Sequence, residues 1–144
     1  MPRVSAKAVI VRDGKLLAIA KRDDAGEWYL LPGGGQDMHE SLHEAVRREC
    51  REELGADVIV GELLYVRDYI ARHHEFAAVD DAHQVELMFA CTLVGEPGVG
   101  TSPDAGQLGV AWLPIDRLDA VRLYPAALKA LLTTGVRGYL GDVN

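Results

Sequence analysis

The chain has 144 residues, 49% hydrophobic and 26% charged, the proportions of a single soluble globular domain spanning residues 1–144. That balance excludes a disordered or low-complexity chain, and no apolar run approaches the ~20 residues that cross a bilayer. A formal net charge of −7, from 22 acidic against 15 basic residues, argues against nucleic-acid binding, which draws on a basic stripe.

The N-terminus carries no long apolar leader and runs straight into a strand-like pattern, so a cytoplasmic protein is expected. Val4 to Val11 is rich in β-branched and small apolar residues, Asp13-Gly14 is a favoured two-residue turn, and Leu16 to Ala20 is the return strand. Asp23 to Glu27 reads as a polar loop. Trp28 to Leu31 is a short apolar run that stops at Pro32 and three glycines, Gly33, Gly34 and Gly35. Ser41 followed by Glu44 is a capping box and Gly55 a C-terminal stop, which predicts a helix over residues 42–54. Strands are expected over 57–69 and 84–94, joined by a polar segment with His73, His74 and His83. Gly95 to Gln107 is a glycine- and proline-rich loop, Leu108 to Leu113 a further strand, and Pro125 fits the first turn of a last helix reaching Thr134. Cys50 and Cys91 both fall inside patterned segments, which suits free thiols in a reducing compartment. The alternation predicts an α/β chain with a mixed sheet and helices packed on it.

On the 42–54 helix, Leu42, Ala45, Val46, Cys50 and Leu54 form an apolar stripe, and Glu44, Arg47, Arg48 and Arg51 the solvated face. Glu49 and Glu53 fall within the apolar range and Glu52 flanks it, three like charges on one surface. Burying them without a partner is costly. Pairing with Arg48 or Arg51 is one resolution. A hard divalent cation among the carboxylates is the other, and it would let an acidic chain bind phosphates.

The spacing decides in favour of the second. Gly34, Glu40 and the run Arg48-Glu49-Cys50-Arg51-Glu52-Glu53-Leu54-Gly55-Ala56 match GX5EX7REUXEEXGU, U being apolar, at every fixed position. Seven fixed residues arise by chance with probability on the order of 10⁻⁶ in such a chain. The stretch from Gly34 to Ala56, with Leu31-Pro32-Gly33 ahead of it, resembles the signature of the Nudix hydrolases. Cys50 and Ala56 are smaller than usual at the U positions, which touches packing and not chemistry.

The resemblance implies an α/β/α sandwich with a mixed central sheet and helices on both faces. It implies hydrolysis of a pyrophosphate bond in a nucleoside-diphosphate-X compound (a nucleoside triphosphate, nucleotide sugar or related molecule) by water attack at phosphorus. The alternative is a non-catalytic nucleotide-sensing module. By resemblance Glu49, Glu52 and Glu53 bind metal and act catalytically, the Gly33 carbonyl adds a ligand, and Mg²⁺ is the cofactor, with Mn²⁺ a substitute. The base is left open among the three glutamates or a later acidic residue, for which Glu86 is a candidate. A half-exposed strand residue paired to an arginine is the plainer reading of Glu86. Arg48 is expected to orient Glu49, Glu40 to brace the loop against the helix, and Gly34 and Gly35 to let backbone approach phosphate.

The partner implied is a small nucleotide, not nucleic acid or membrane, and a homodimer is admitted. No substrate motif outside the signature matches cleanly: Ala71 and Arg72 stand where a proline is expected, and Tyr69 lies slightly early for the tyrosine of another subgroup. Trp28, Tyr29, Tyr69 and Phe76 are candidates to stack on a base. The long connection from Arg72 to His83, with His73, His74 and Phe76, is expected to select substrate, against the reading of an idle linker.

Overall fold

The computed structural model describes residues 1–98, 100 and 106–144. The Asp13-Gly14 turn, with φ of 52° and 72°, joins β1 (Arg3–Arg12) to β2 (Lys15–Asp23). A second hairpin leads into β3 (Gly26–Leu30), so the polar loop expected over 23–27 shrinks to its tip. β4 (Gly33–Gly35) precedes α1 (Leu42–Leu54), and β5 (Asp57–Ile70) and β6 (His83–Val94) follow. β7 (Gln107–Pro114), β8 (Leu123–Tyr124), α2 (Leu128–Thr134) and β9 (Gly138–Asp142) complete the chain.

The strands form one mixed, curled sheet. In one part β1 lies between β4 and β6, parallel to β6, and β5 continues the order to β9. In the other, β2 lies between β3 and β7, and β8 extends it alongside β3. β1 reaches across through Val11↔Leu16 and Arg12↔Lys15. Successive strand residues feed opposite cores. Ala6, Ala8, Ile10, Leu17 and Ile19 pack with Ala45, Val46, Cys50 and Leu54 of α1. Val9, Leu16, Ala18 and Met88 pack with Leu118, Leu123 and Leu128 on the α2 side. Cover on both faces explains why β1 and β2 read as nearly unbroken apolar runs.

α1 has the expected limits. The Ser41 Oγ accepts the Glu44 N–H at 3.1 Å, the Glu44 carboxylate accepts the Ser41 N–H at 3.3 Å, and Gly55 ends the helix at φ 62°. The last helix departs from expectation by starting at Leu128, not Pro125. Ala127 offers no side-chain cap, and the turn from Pro125 closes by short bonds such as Leu128 N–H to the Pro125 carbonyl at 3.1 Å. The Gly95–Gln107 connection follows β6 as expected, although residues 99 and 101–105 lie outside the described part.

Candidate active site

β4 sets the site. It pairs with β1 through Ser5↔Gly35, Ala6↔Gly34 and Lys7↔Gly33, which presses its backbone against the sheet. Gly33 has φ 134°, and a Cβ there would collide with the Ala6 carbonyl oxygen, so only glycine fits. A Cβ on Gly34 would stand 2.7 Å from the Glu49 carboxylate. The glycines therefore let a strand and a carboxylate-bearing helix meet.

Glu53 is 3% exposed, and its Oε1 accepts the Gly33 N–H at 2.7 Å. Arg48 gathers the loop and the helix together. It donates to Glu40 from Nε at 3.1 Å and Nη2 at 2.7 Å, to the Gly35 carbonyl at 2.8 Å, and to Glu49 at 3.0 Å. Glu52 lies 3.4 Å from the same guanidinium. Glu40 also accepts the Asp37 N–H at 2.8 Å, and the Arg48 guanidinium holds its carboxyl below the usual range. Glu49 behaves oppositely: burial pushes its carboxyl up, in spite of Arg48 and Lys7.

Among the described residues, no three His, Cys, Asp or Glu side chains converge as a ready-made metal site. Glu53 bonds to Gly33, while Glu49 and Glu52 share Arg48. The donors nonetheless fit a hard cation chemically, being three carboxylates and a backbone carbonyl around one turn of helix and one glycine strand.

A cleft of about 630 Å³ opens beside β4. Gly33, Gly34, Gly35 and Glu49 line one end of it. The floor carries Lys7, Arg67 and Glu86, and Trp28, Phe76 and Tyr124 line the far end. Glu86 is not half-exposed but 6% exposed at the cleft floor, bonded to the Arg67 Nε at 2.8 Å. Burial pushes the Glu86 carboxyl up, but Lys7 and Arg67 outweigh it and leave it below the ordinary range. Arg67 in turn donates to the Val143 carbonyl at 2.6 Å and to Asn144 at 3.0 Å.

The connection from β5 to β6 begins as a 3₁₀ turn over Ala71–His73 and carries Phe76 to Trp28 and Tyr124, at ring-centroid distances of 5.2 and 5.1 Å. Its histidines point elsewhere than expected. His73 and His74 pair with Asp142 at 2.8 and 2.6 Å, and His83 with Asp68 at 2.9 Å. None of the three lines the cleft. The Tyr29 hydroxyl donates to Glu27, while Tyr69 is buried at the cleft wall. Lys7, Arg67 and Tyr124 escaped the sequence reading. For Lys7 the signal was a cation between Ala6 and Ala8 in an otherwise apolar strand, and Arg67, beside Asp68, carried no such signal.

The NUDIX domain model matches residues 1–132. The chain belongs to the NUDIX family. It is 44% identical over 69 residues to a CTP pyrophosphohydrolase of Escherichia coli, a match covering 46% of each protein. It is 30% identical over 89 residues to the nucleoside triphosphatase NudI of Escherichia coli, covering 58% of this chain and 63% of that one. Both matches span less than two thirds of those relatives' length. A solved MutT NUDIX hydrolase from Burkholderia pseudomallei superposes with a TM-score of 0.65 at 36% identity, over 81% of this chain and 85% of that one. The α/β/α architecture is thus that of a Nudix domain, with the signature helix α1 against one face. Nudix hydrolases act on small nucleotides and generally use divalent cations. No helix among the described residues is long and apolar enough to cross a membrane.

Proposed function

We propose that the chain is a divalent-cation-dependent pyrophosphohydrolase that cleaves a pyrophosphate bond in a nucleoside-diphosphate-X compound, with nucleoside triphosphates the first class to test. What supports this reading is the union of two chemistries in one cleft, oxygen donors beside Gly33–Gly35 and aromatic surface around Trp28, Phe76 and Tyr124. The names of the CTP- and nucleoside-triphosphate-cleaving relatives favour the triphosphates.

Mg²⁺, or Mn²⁺ in its place, held by Glu49, Glu52, Glu53 and the Gly33 carbonyl, would neutralise phosphate oxygens and acidify a bound water. Arg48 is a positioning residue that keeps Glu49 and Glu52 in place and ties them to the loop through Glu40 and Gly35. Gly34 and Gly35 leave the backbone open to phosphate. Glu49 is the favoured base because, of the three signature glutamates, it lines the cleft. Glu86 is a poor base, since Arg67 engages it and its carboxyl is held acidic. Its task is to keep Arg67 in the floor. The aromatic end offers a nucleobase a stacking surface. We place the protein in the cytoplasm, where the buried Cys50 and Cys91 remain thiols.

The test is a panel of CTP, UTP, ATP, GTP and nucleotide sugars with Mg²⁺, products separated by chromatography. Release of nucleoside monophosphate, with pyrophosphate from a triphosphate or sugar phosphate from a nucleotide sugar, abolished by excess EDTA, is expected. Turnover undiminished by EDTA, or no turnover of any member, overturns the reading.

A further inference from the structure

Besides Arg48, a second cation reaches the glycine strand, from the floor of the cleft. Lys7 is 9% exposed, and its Nζ donates to the Gly33 carbonyl oxygen at 3.2 Å. Its aliphatic stem lies so close that a Cβ on Gly33 would stand 2.7 Å from the Lys7 Cα and 2.9 Å from its Cδ. The β1–β4 pairing Lys7↔Gly33 fixes this approach, so the contact is built by the sheet and not by a mobile surface side chain. Two carboxylates on different elements, Glu49 of α1 and Glu86 of β6, line the same cleft as Lys7. One lysine therefore stands among a backbone oxygen and two acids that would otherwise be buried with less compensation.

We propose that Lys7 is a resident cation of this site, which holds the Gly33 carbonyl and balances the neighbouring carboxylates in the metal-free protein and competes with a divalent cation for that oxygen. The inference rests on the metal reading above, and it goes beyond that reading by assigning a residue outside the signature to the control of metal affinity. The physical basis is charge. A carbonyl oxygen cannot serve an ammonium and a divalent ion together without placing like charges within a few ångströms in a poorly solvated cleft, where repulsion is screened far less than in water. Metal entry must therefore displace the ammonium, and the wild-type affinity is lower than the oxygen donors alone would give. In exchange, the metal-free cluster is spared the repulsion of uncompensated acids.

The experiment is titration of the substrate-free protein with Mn²⁺, free ion read by electron paramagnetic resonance. Lys7→Met keeps length and removes charge, and it should tighten Mn²⁺ binding about tenfold, or about 1.4 kcal/mol. Lys7→Gln, which is polar and neutral, should tighten it in the same direction, and Lys7→Arg should not. A thermal melt of each variant with and without Mn²⁺ reports folding independently. The neutral variants should melt lower than wild type without metal and gain more from it. If neither neutral variant binds Mn²⁺ more tightly than wild type, the competition is refuted although the metal reading stands. If Mn²⁺ binds none of the four proteins, the metal reading and this inference fall together.

Discussion

At the acidic end of the cleft, one arginine reaches Glu40, Glu49, Glu52 and the Gly35 carbonyl, all within a short stretch of chain. At the aromatic end, Trp28 from β3, Phe76 from the β5–β6 connection and Tyr124 from β8 meet across the whole fold. The first is a local device whose geometry follows from a helix and the loop before it. The second exists only once the sheet has closed, so the sequence offers Trp28 and Phe76 as stacking candidates but neither their meeting nor Tyr124. Under the function proposed above, chemistry common to many substrates would be kept local, and selection among substrates would fall to tertiary contacts that can vary without disturbing it.

The floor between the two ends is where that division breaks most expensively. Arg67→Met leaves Glu86 buried without its bonded partner and should cost about 3–5 kcal/mol in urea unfolding. Arg67→Met combined with Glu86→Leu should recover most of the loss. A single variant as stable as wild type would show the pair to be idle. The pH dependence follows from the same acid. Glu86 titrates below its ordinary value of 4.5 in the fold, so its contribution is complete above that pH and is lost as pH falls through the folded value. The stability gap between wild type and the double variant should therefore be flat near neutrality and change only in acid. A gap that drifts between pH 6 and 8 would contradict this assignment.

Within the acidic end, Glu53→Gln keeps size and an oxygen for the Gly33 N–H while removing the charge. It should lower kcat by at least ~10²-fold in a protein that still folds, as circular dichroism would verify. Near-native turnover would make Glu53 a structural residue. Arg48→Lys should cost less, about tenfold in kcat, because an ammonium cannot serve Glu40, Glu49 and Gly35 in one planar fork. Rates equal to wild type would remove Arg48 from the positioning role.

The smallest expected effect sharpens the comparison from the other side. Phe76→Ala should change the ratio of kcat/KM between pyrimidine and purine nucleotides by several-fold up to ~10-fold, the scale of one lost stacking contact. The Mg²⁺ requirement should stay as it was. Equal losses for every nucleotide would make Phe76 a packing residue.

The contrast also explains what could be read from sequence. The limits of α1 were legible because Ser41, Glu44 and Gly55 act on neighbouring backbone, and the first hairpin because Asp13-Gly14 permits the required φ. The acidic cluster was legible because its spacing lies on one helix. β4 was not, since three glycines have no hydrophobic period, and β9, with Gly138 and Gly141, hides for the same reason. The partners of His73, His74 and His83 were illegible because Asp142 and Asp68 lie on separate strands, met only after folding. Arg67↔Glu86 is a register pair between β5 and β6, and register is a property of two strands and not of either one.

β9 lies wholly beyond residue 132, where the match to the family ends. Its Asp142 receives both histidines of the strap that carries Phe76, and Val143 and Asn144 receive the Arg67 guanidinium. A boundary drawn where the family resemblance stops would keep every signature residue yet remove the anchors of the cleft floor and of its aromatic wall. Transplanting the signature into another scaffold would move the acidic cluster without the aromatic contacts of Trp28, Phe76 and Tyr124. In this protein, the dozen residues beyond the family match hold in place two sides of the cleft that the signature does not reach.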